Sequence, residues 1–171
     1  MNSQSPEQSK DDRFWKLFEK CADELITDEA SSRVIHWLTL DGKARVVNLL
    51  SKVRAARKTS GFDEDEVREI ALRGLLYTEP QADDVSKIAR ERLDELRRLV
   101  RKKGEDYNAG GISALEYWIL GADSIFHEMH KRCLRLVSLS QSPKRPKFET
   151  EAETGLDLAA FCLFLLAFLK L

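Results

Sequence analysis

The stretch Lys147-Phe148-Glu149-Thr150-Glu151-Ala152-Glu153-Thr154-Gly155-Leu156-Asp157-Leu158-Ala159-Ala160-Phe161, with the apolar run that continues to Leu169, decides how this chain is read. Glu149, Glu153 and Asp157 stand at i, i+4 and i+8. In a helix, at about 100° per residue, they lie along one slowly drifting face. Like charges at that spacing repel by a few tenths of a kcal/mol per pair, so such a row calls for a cation, either a basic neighbour or a divalent metal. The run 158–169 is about 12 residues long, too short for the roughly 20 that span a bilayer. Its central part, Phe161 to Leu169, is apolar on every side, which predicts a core helix or a subunit interface.

Composition points the same way. The chain has 171 residues, 33% charged and 43% hydrophobic, with only 4 prolines and 8 glycines, the balance of a helix-rich globular domain large enough to bury a core. A formal net charge of −1 argues against general nucleic-acid binding. Cys21, Cys133 and Cys162 form no CxxC pair and fall within apolar helical patterns, which predicts buried, reduced thiols. The polar start, Met1 to Asp12, carries no apolar signal-like segment, and the expectation is a cytoplasmic protein without a membrane partner.

Working back along the chain, residues 1–11 read as a disordered tail and residues 12–80 as an N-terminal helical region. Asp11 or Asp12, and then Asp28 or Ser31, are candidate helix caps, Asp41-Gly42 is a turn, and acids crowd a helix start at Asp63 to Glu66. From Asp83 or Asp84 a long helix carries Val85, Ile88, Ala89, Leu93, Leu96, Leu99 and Val100 as its buried stripe and is expected to stop at Gly104. A polar, glycine-containing connection follows, then a short apolar piece at 115–120, a helix from Asp123 or Ser124, and the acidic helix. The fold expected is all-α, a bundle of about four core helices over residues 83–171 with an N-terminal helical extension packed on it. No GxSxG, HExxH, P-loop, CxxC or dinucleotide fingerprint is present.

Three segments in order are informative: Lys103-Gly104-x-Asp106-Tyr107-Asn108, then Arg132-x-x-Arg135-Leu136-x-Ser138-Leu139, then Glu149-Thr150 with Glu153-Thr154-x-x-Asp157-Leu158-Ala159-x-Phe161. This series resembles the phage and bacterial nucleotide-modification-associated family, formerly a domain of unknown function. The likeness covers about residues 88–169. Arg132 stands where that family usually has lysine, Glu153 where it has aspartate, and Phe161 where it has tyrosine, so charge and aromatic character are kept. The acidic helix also looks like the all-α nucleoside triphosphate pyrophosphohydrolases of the MazG type. Those enzymes space their acids by three rather than four, and Glu91-x-x-Asp94 would be the matching half on a facing helix.

The resemblance implies a nucleotide or nucleoside triphosphate as ligand and Mg²⁺, with Mn²⁺ as the substitute, as cofactor. Glu149, Glu153, Asp157 and Asp106 would hold the metal, with Glu153 and Asp157 acting in hydrolysis as in a Mg²⁺-dependent pyrophosphohydrolase. Arg132 and Arg135 would clamp phosphate, and Tyr107 and Asn108 would meet the base. The same residues admit a second reading, in which the arginines simply pair with the acidic row and orient two helices. On that reading the chain is a non-catalytic homo-oligomeric module, assembled through its C-terminal helix, that binds nucleotide or a partner protein.

Overall fold

A helix apolar on every side needs neighbours on every side, and this requirement organises the molecule. The computed structural model describes residues 6–79, 84–108, 113–142 and 150–171. In chain order the elements are α1 (Pro6–Asp23), α2 (Asp28–Leu38), α3 (Gly42–Ala56), a two-stranded hairpin of β1 (Arg57–Lys58) and β2 (Gly61–Phe62), α4 (Glu64–Leu75), α5 (Val85–Asn108), a 3₁₀ turn (Ala114–Tyr117), α6 (Ala122–Gln141) and α7 (Glu151–Phe168). The all-α bundle expected from the sequence is the fold.

α7 is its central helix. Eleven of its 18 residues are buried, among them Leu158, Cys162, Leu165 and Leu166. α4 and α6 make the most extensive contacts with it, α1 covers a further side, and α5 adds a smaller contact. The N-terminal helical region thus supplies two of the walls around α7, α1 and α4. The apolar surface that suggested a subunit interface is covered within one chain, because a single buried core joins residues from Phe14 to Ala167. No helix among the described residues is long and apolar enough to cross a membrane. All three cysteines are free and buried, and burial raises their thiols, that of Cys133 to about 12.

Local chemistry sets the helix boundaries. Thr27, Asp41 and Asp63 accept hydrogen bonds from the first-turn amides of α2, α3 and α4, and Asp84 does the same for Lys87 at the start of α5. Several boundaries differ from expectation: α2 is capped by Thr27 rather than Asp28 or Ser31, and α6 starts at Ala122, one residue before Asp123, with no side-chain cap. α1 begins at Pro6, inside the stretch read as a disordered tail, since proline is well suited to a first helical position. Asp11 is further tied down by the Ser113 hydroxyl, 2.9 Å away. α5 runs through Gly104 to Asn108, because one glycine inside a helix costs only about 1 kcal/mol, which a 24-residue helix with good helix formers tolerates.

Between the N-terminal helices Arg45 acts as a shared cap. Its guanidinium donates to the carbonyls of Leu38, of Leu40 at 3.0 Å, of Tyr77 at 3.4 Å and of Glu79 at 3.1 Å, closing the carboxyl ends of α2 and α4 at once. Arg45 and the buried Arg73 both lie over the Trp37 ring, at 5.6 and 5.3 Å. Arg73 pairs with Glu69, which Lys52 also reaches at 3.0 Å, so the charges buried beside α4 are paired.

The tightest contact in the fold is between α4 and α7. A Cβ at Gly155 would sit 2.6 Å from the Gly74 carbonyl oxygen, and one at Gly74 would sit 2.7 Å from that of Gly155. Both obstacles are helical backbone, which cannot rotate aside. Gly155→Ala should therefore push the two helices apart and destabilise the protein by about 1–3 kcal/mol. Gly42→Ala, at a position with no neighbour within 4 Å, should be neutral or slightly stabilising. Urea unfolding of the two variants beside the wild type measures the contrast, and equal stabilities for Gly155→Ala and the wild type would contradict the close crossing.

Candidate ligand-binding cleft

Residues from α1, α5, the 3₁₀ turn, α6 and α7 enclose a cleft of about 850 Å³, within the size range of small-molecule sites. Its body is aromatic and aliphatic, formed by Trp15, Trp118, Phe161 and Phe164 with Leu96, Val100 and Leu156. Phe164 is the hub of that wall. Its ring lies 5.3 Å from Trp118, 6.0 Å and nearly perpendicular to Trp15, and 5.8 Å and nearly perpendicular to Phe161. The rings reach one place because Phe161 and Phe164 are three apart on α7, while Trp15 comes from α1 and Trp118 follows the 3₁₀ turn. That turn is fixed by a capping box, with the Ser113 side chain and Glu116 satisfying each other's backbone amides.

One end of the cleft is charged. Asp157 lies between two cations from different helices, with Oδ1 3.2 Å from Lys103 Nζ on α5 and Oδ2 3.5 Å from Arg132 Nε on α6. The Arg132 guanidinium also faces Glu128, at 3.5 Å, and stands over the Phe161 ring, 5.3 Å from its centroid. Its Nε is buried yet has no hydrogen-bond partner among the described residues. Glu128 is held by Lys131 at 2.7 Å, and His127 completes the rim.

The residues singled out from the sequence divide into three groups. Arg132, Asp157 and Phe161 meet at the cleft, joined by Lys103 and Gly104 of the first motif, so one segment of each motif converges on it. Glu153 and Arg135 are exposed and do not line it. Glu91 and Asp94 also project from exposed positions of α5, outside the cleft. Asp106, Tyr107 and Asn108 fall on the last turn of α5, but their side chains, like Glu149, lie outside the described residues. The aromatic wall was missed, since its members look like ordinary core positions and come from three distant parts of the chain. The sequence signal that could have found part of it is the pair Phe161 and Phe164, three apart on one helix and one turn beyond Asp157.

Comparison of the chain with protein-family models, with curated proteins and with solved structures finds no match. The reading of the site therefore rests on its own geometry and motifs.

Of the four carboxylates expected to hold magnesium, the two that are described, Glu153 and Asp157, are engaged elsewhere. α7 starts at Glu151 with Thr150 as its cap, which makes Glu153 the third residue of a capping box. Glu153 Oε2 accepts from the Thr150 amide at 2.8 Å and from its hydroxyl at 2.9 Å. Asp157 gives one oxygen to each of two cations. Among the described residues no group of three acidic, histidine or cysteine side chains is placed to hold a metal.

The backbone amide of Thr150, and then its hydroxyl, hold the Glu153 carboxyl below the usual range. A folded-state value lower than the unfolded one stabilises the protein above the ordinary glutamate range, and the benefit disappears as pH falls through the folded value. Glu153→Ala should thus lower stability at neutral pH by releasing the α7 cap, with its deficit relative to the wild type narrowing in acid. Denaturant unfolding at both pH values tests this. A deficit that is unchanged in acid would contradict the role of the ionised cap.

Proposed function

We propose that the cleft is a binding site for a nucleoside phosphate, with the base against the aromatic wall and the phosphate at Lys103 and Arg132. The observation that carries this reading is the junction of an aromatic box with a pair of cations from two helices, at the point where the three motif segments converge. A base has a π-face whatever its identity, and stacking on an aromatic side chain is worth about 1–3 kcal/mol. Arginine and lysine supply charge-assisted donors for phosphate oxygens, and the guanidinium adds a planar fork. The Arg132 Nε–H, which makes no hydrogen bond among the described residues and lies 3.5 Å from Asp157 Oδ2, is such a donor.

This reading is one of binding. The two acids assigned to catalysis are engaged, Glu153 in the cap of α7 and Asp157 in an ion pair, which supports the second of the two readings drawn from the sequence rather than hydrolysis through a carboxylate-held metal. No reaction step is therefore assigned to these residues.

Isothermal titration with a panel of nucleoside mono-, di- and triphosphates, with magnesium and with chelator, tests the proposal. Binding in chelator is expected, and Lys103→Ala and Arg132→Ala should each weaken it on the order of ten- to a hundred-fold, as loss of a charge-assisted hydrogen bond implies. The same samples assayed for release of phosphate and pyrophosphate should show none. Absence of nucleotide binding, or binding that Lys103→Ala and Arg132→Ala leave unchanged, would overturn the assignment. Binding and turnover that both require magnesium would return the site to the hydrolase reading.

A further inference from the structure

The arrangement of charges at the end of the cleft carries information about which phosphate ligands it admits. Asp157 sits where a bound phosphate would sit, between Lys103 at 3.2 Å and Arg132 at 3.5 Å. Neither contact is short, and the Asp157 side chain is 31% exposed, so water screens both attractions. The grip is also incomplete, since the Arg132 Nε that faces Asp157 Oδ2 at 3.5 Å makes no hydrogen bond among the described residues. The two cations are further matched by Glu128, which faces Arg132 from the same helix. Lys103 and Arg132 are thus the two cations that face Asp157, while Glu128 is matched by Lys131 as well as by Arg132.

We infer that Asp157 is a specificity-determining residue, an internal stand-in for phosphate that makes the cleft select phosphate monoesters of nucleosides over di- and triphosphates. The inference rests on the nucleotide-binding reading above. A ligand phosphate must displace the Asp157 carboxylate from Lys103 and Arg132, and the displaced carboxylate remains at the site as a like charge. One phosphate group gains the two cations in exchange, with an Nε–H donor that the carboxylate leaves without a hydrogen bond. Each further phosphate adds repulsion from the displaced Asp157, while Lys131, the next cation, is already held by Glu128. Discrimination by a retained repulsive group is a general device of specific sites.

Asp157→Asn keeps the shape of the side chain and removes its charge. Titrations of the full chain with a nucleoside monophosphate and the matching triphosphate, in chelator, should show the wild type preferring the monophosphate. Asp157→Asn should bind both more tightly, on the order of tenfold for the monophosphate and more for the triphosphate, narrowing or inverting the preference. A purely structural Asp157 would lower the melting temperature of the variant without moving the ratio of the two affinities. Weaker or equal binding by the variant, or a wild type that prefers the triphosphate, would overturn the inference while leaving the binding reading in place. No binding of either nucleotide by either protein would overturn both. If Asp157→Asn does not fold, the wild-type ranking of the two ligands decides the matter.

Discussion

The structure depends on enclosing one helix. α7 is apolar nearly all round, and leaving such a surface in water would cost about 25 cal/mol for each Å² exposed. The chain meets this by drawing walls from its whole length, with α4 and α6 on the two largest sides, α1 on another and α5 along an edge. The α4 side is set by Gly74 and Gly155, where two backbones approach with no side chain between them. That contact fixes how deeply α7 sits, and with it the position of every side chain that α7 projects between α5 and α6.

The cleft follows from the same constraint. Where α4 covers α7, small residues bring the backbones together. Where α5 and α6 flank it, the larger Phe161 and Phe164 hold the surfaces apart, and Asp157 interrupts the apolar run at one point. Asp157, the carboxylate of α7 that lies past its first turn, needs cations, and Lys103 and Arg132 supply them from the two neighbours. The ion pair that ties three helices together is in this way also the polar end of the aromatic box.

Much of this was legible in the sequence. The helical periodicities, the acidic start of α4 and the Asp84 cap of α5 could be read directly, and the three motif segments pointed to residues that do meet, with Arg132, Asp157 and Phe161 at one cleft. Two features were not legible, for physical reasons. An all-round apolar helix looks the same from sequence whether its cover is a second subunit or the rest of its own chain, because the covering residues of α1 and α4 are far away in sequence. The role of Glu153 was the second, because α7 is capped by Thr150 and Glu153 occupies its third helical position. Thr150-Glu151-Ala152-Glu153 is a capping-box sequence, and this signal, local and strong, competes with the longer i+4 pattern and takes Glu153 for the cap.

The account places two of the three tryptophans, Trp15 and Trp118, on the ligand wall, and the third, Trp37, in the N-terminal core, where its indole donates to the Arg45 carbonyl at 3.1 Å. The most direct measurement is therefore an NMR titration that follows the three indole N–H signals as a nucleoside monophosphate is added. The signals of Trp15 and Trp118 should shift together and saturate while that of Trp37 stays in place. Indole signals that do not move, or a Trp37 signal that moves as far as the other two, would contradict the placement of the ligand between α5, α6 and α7.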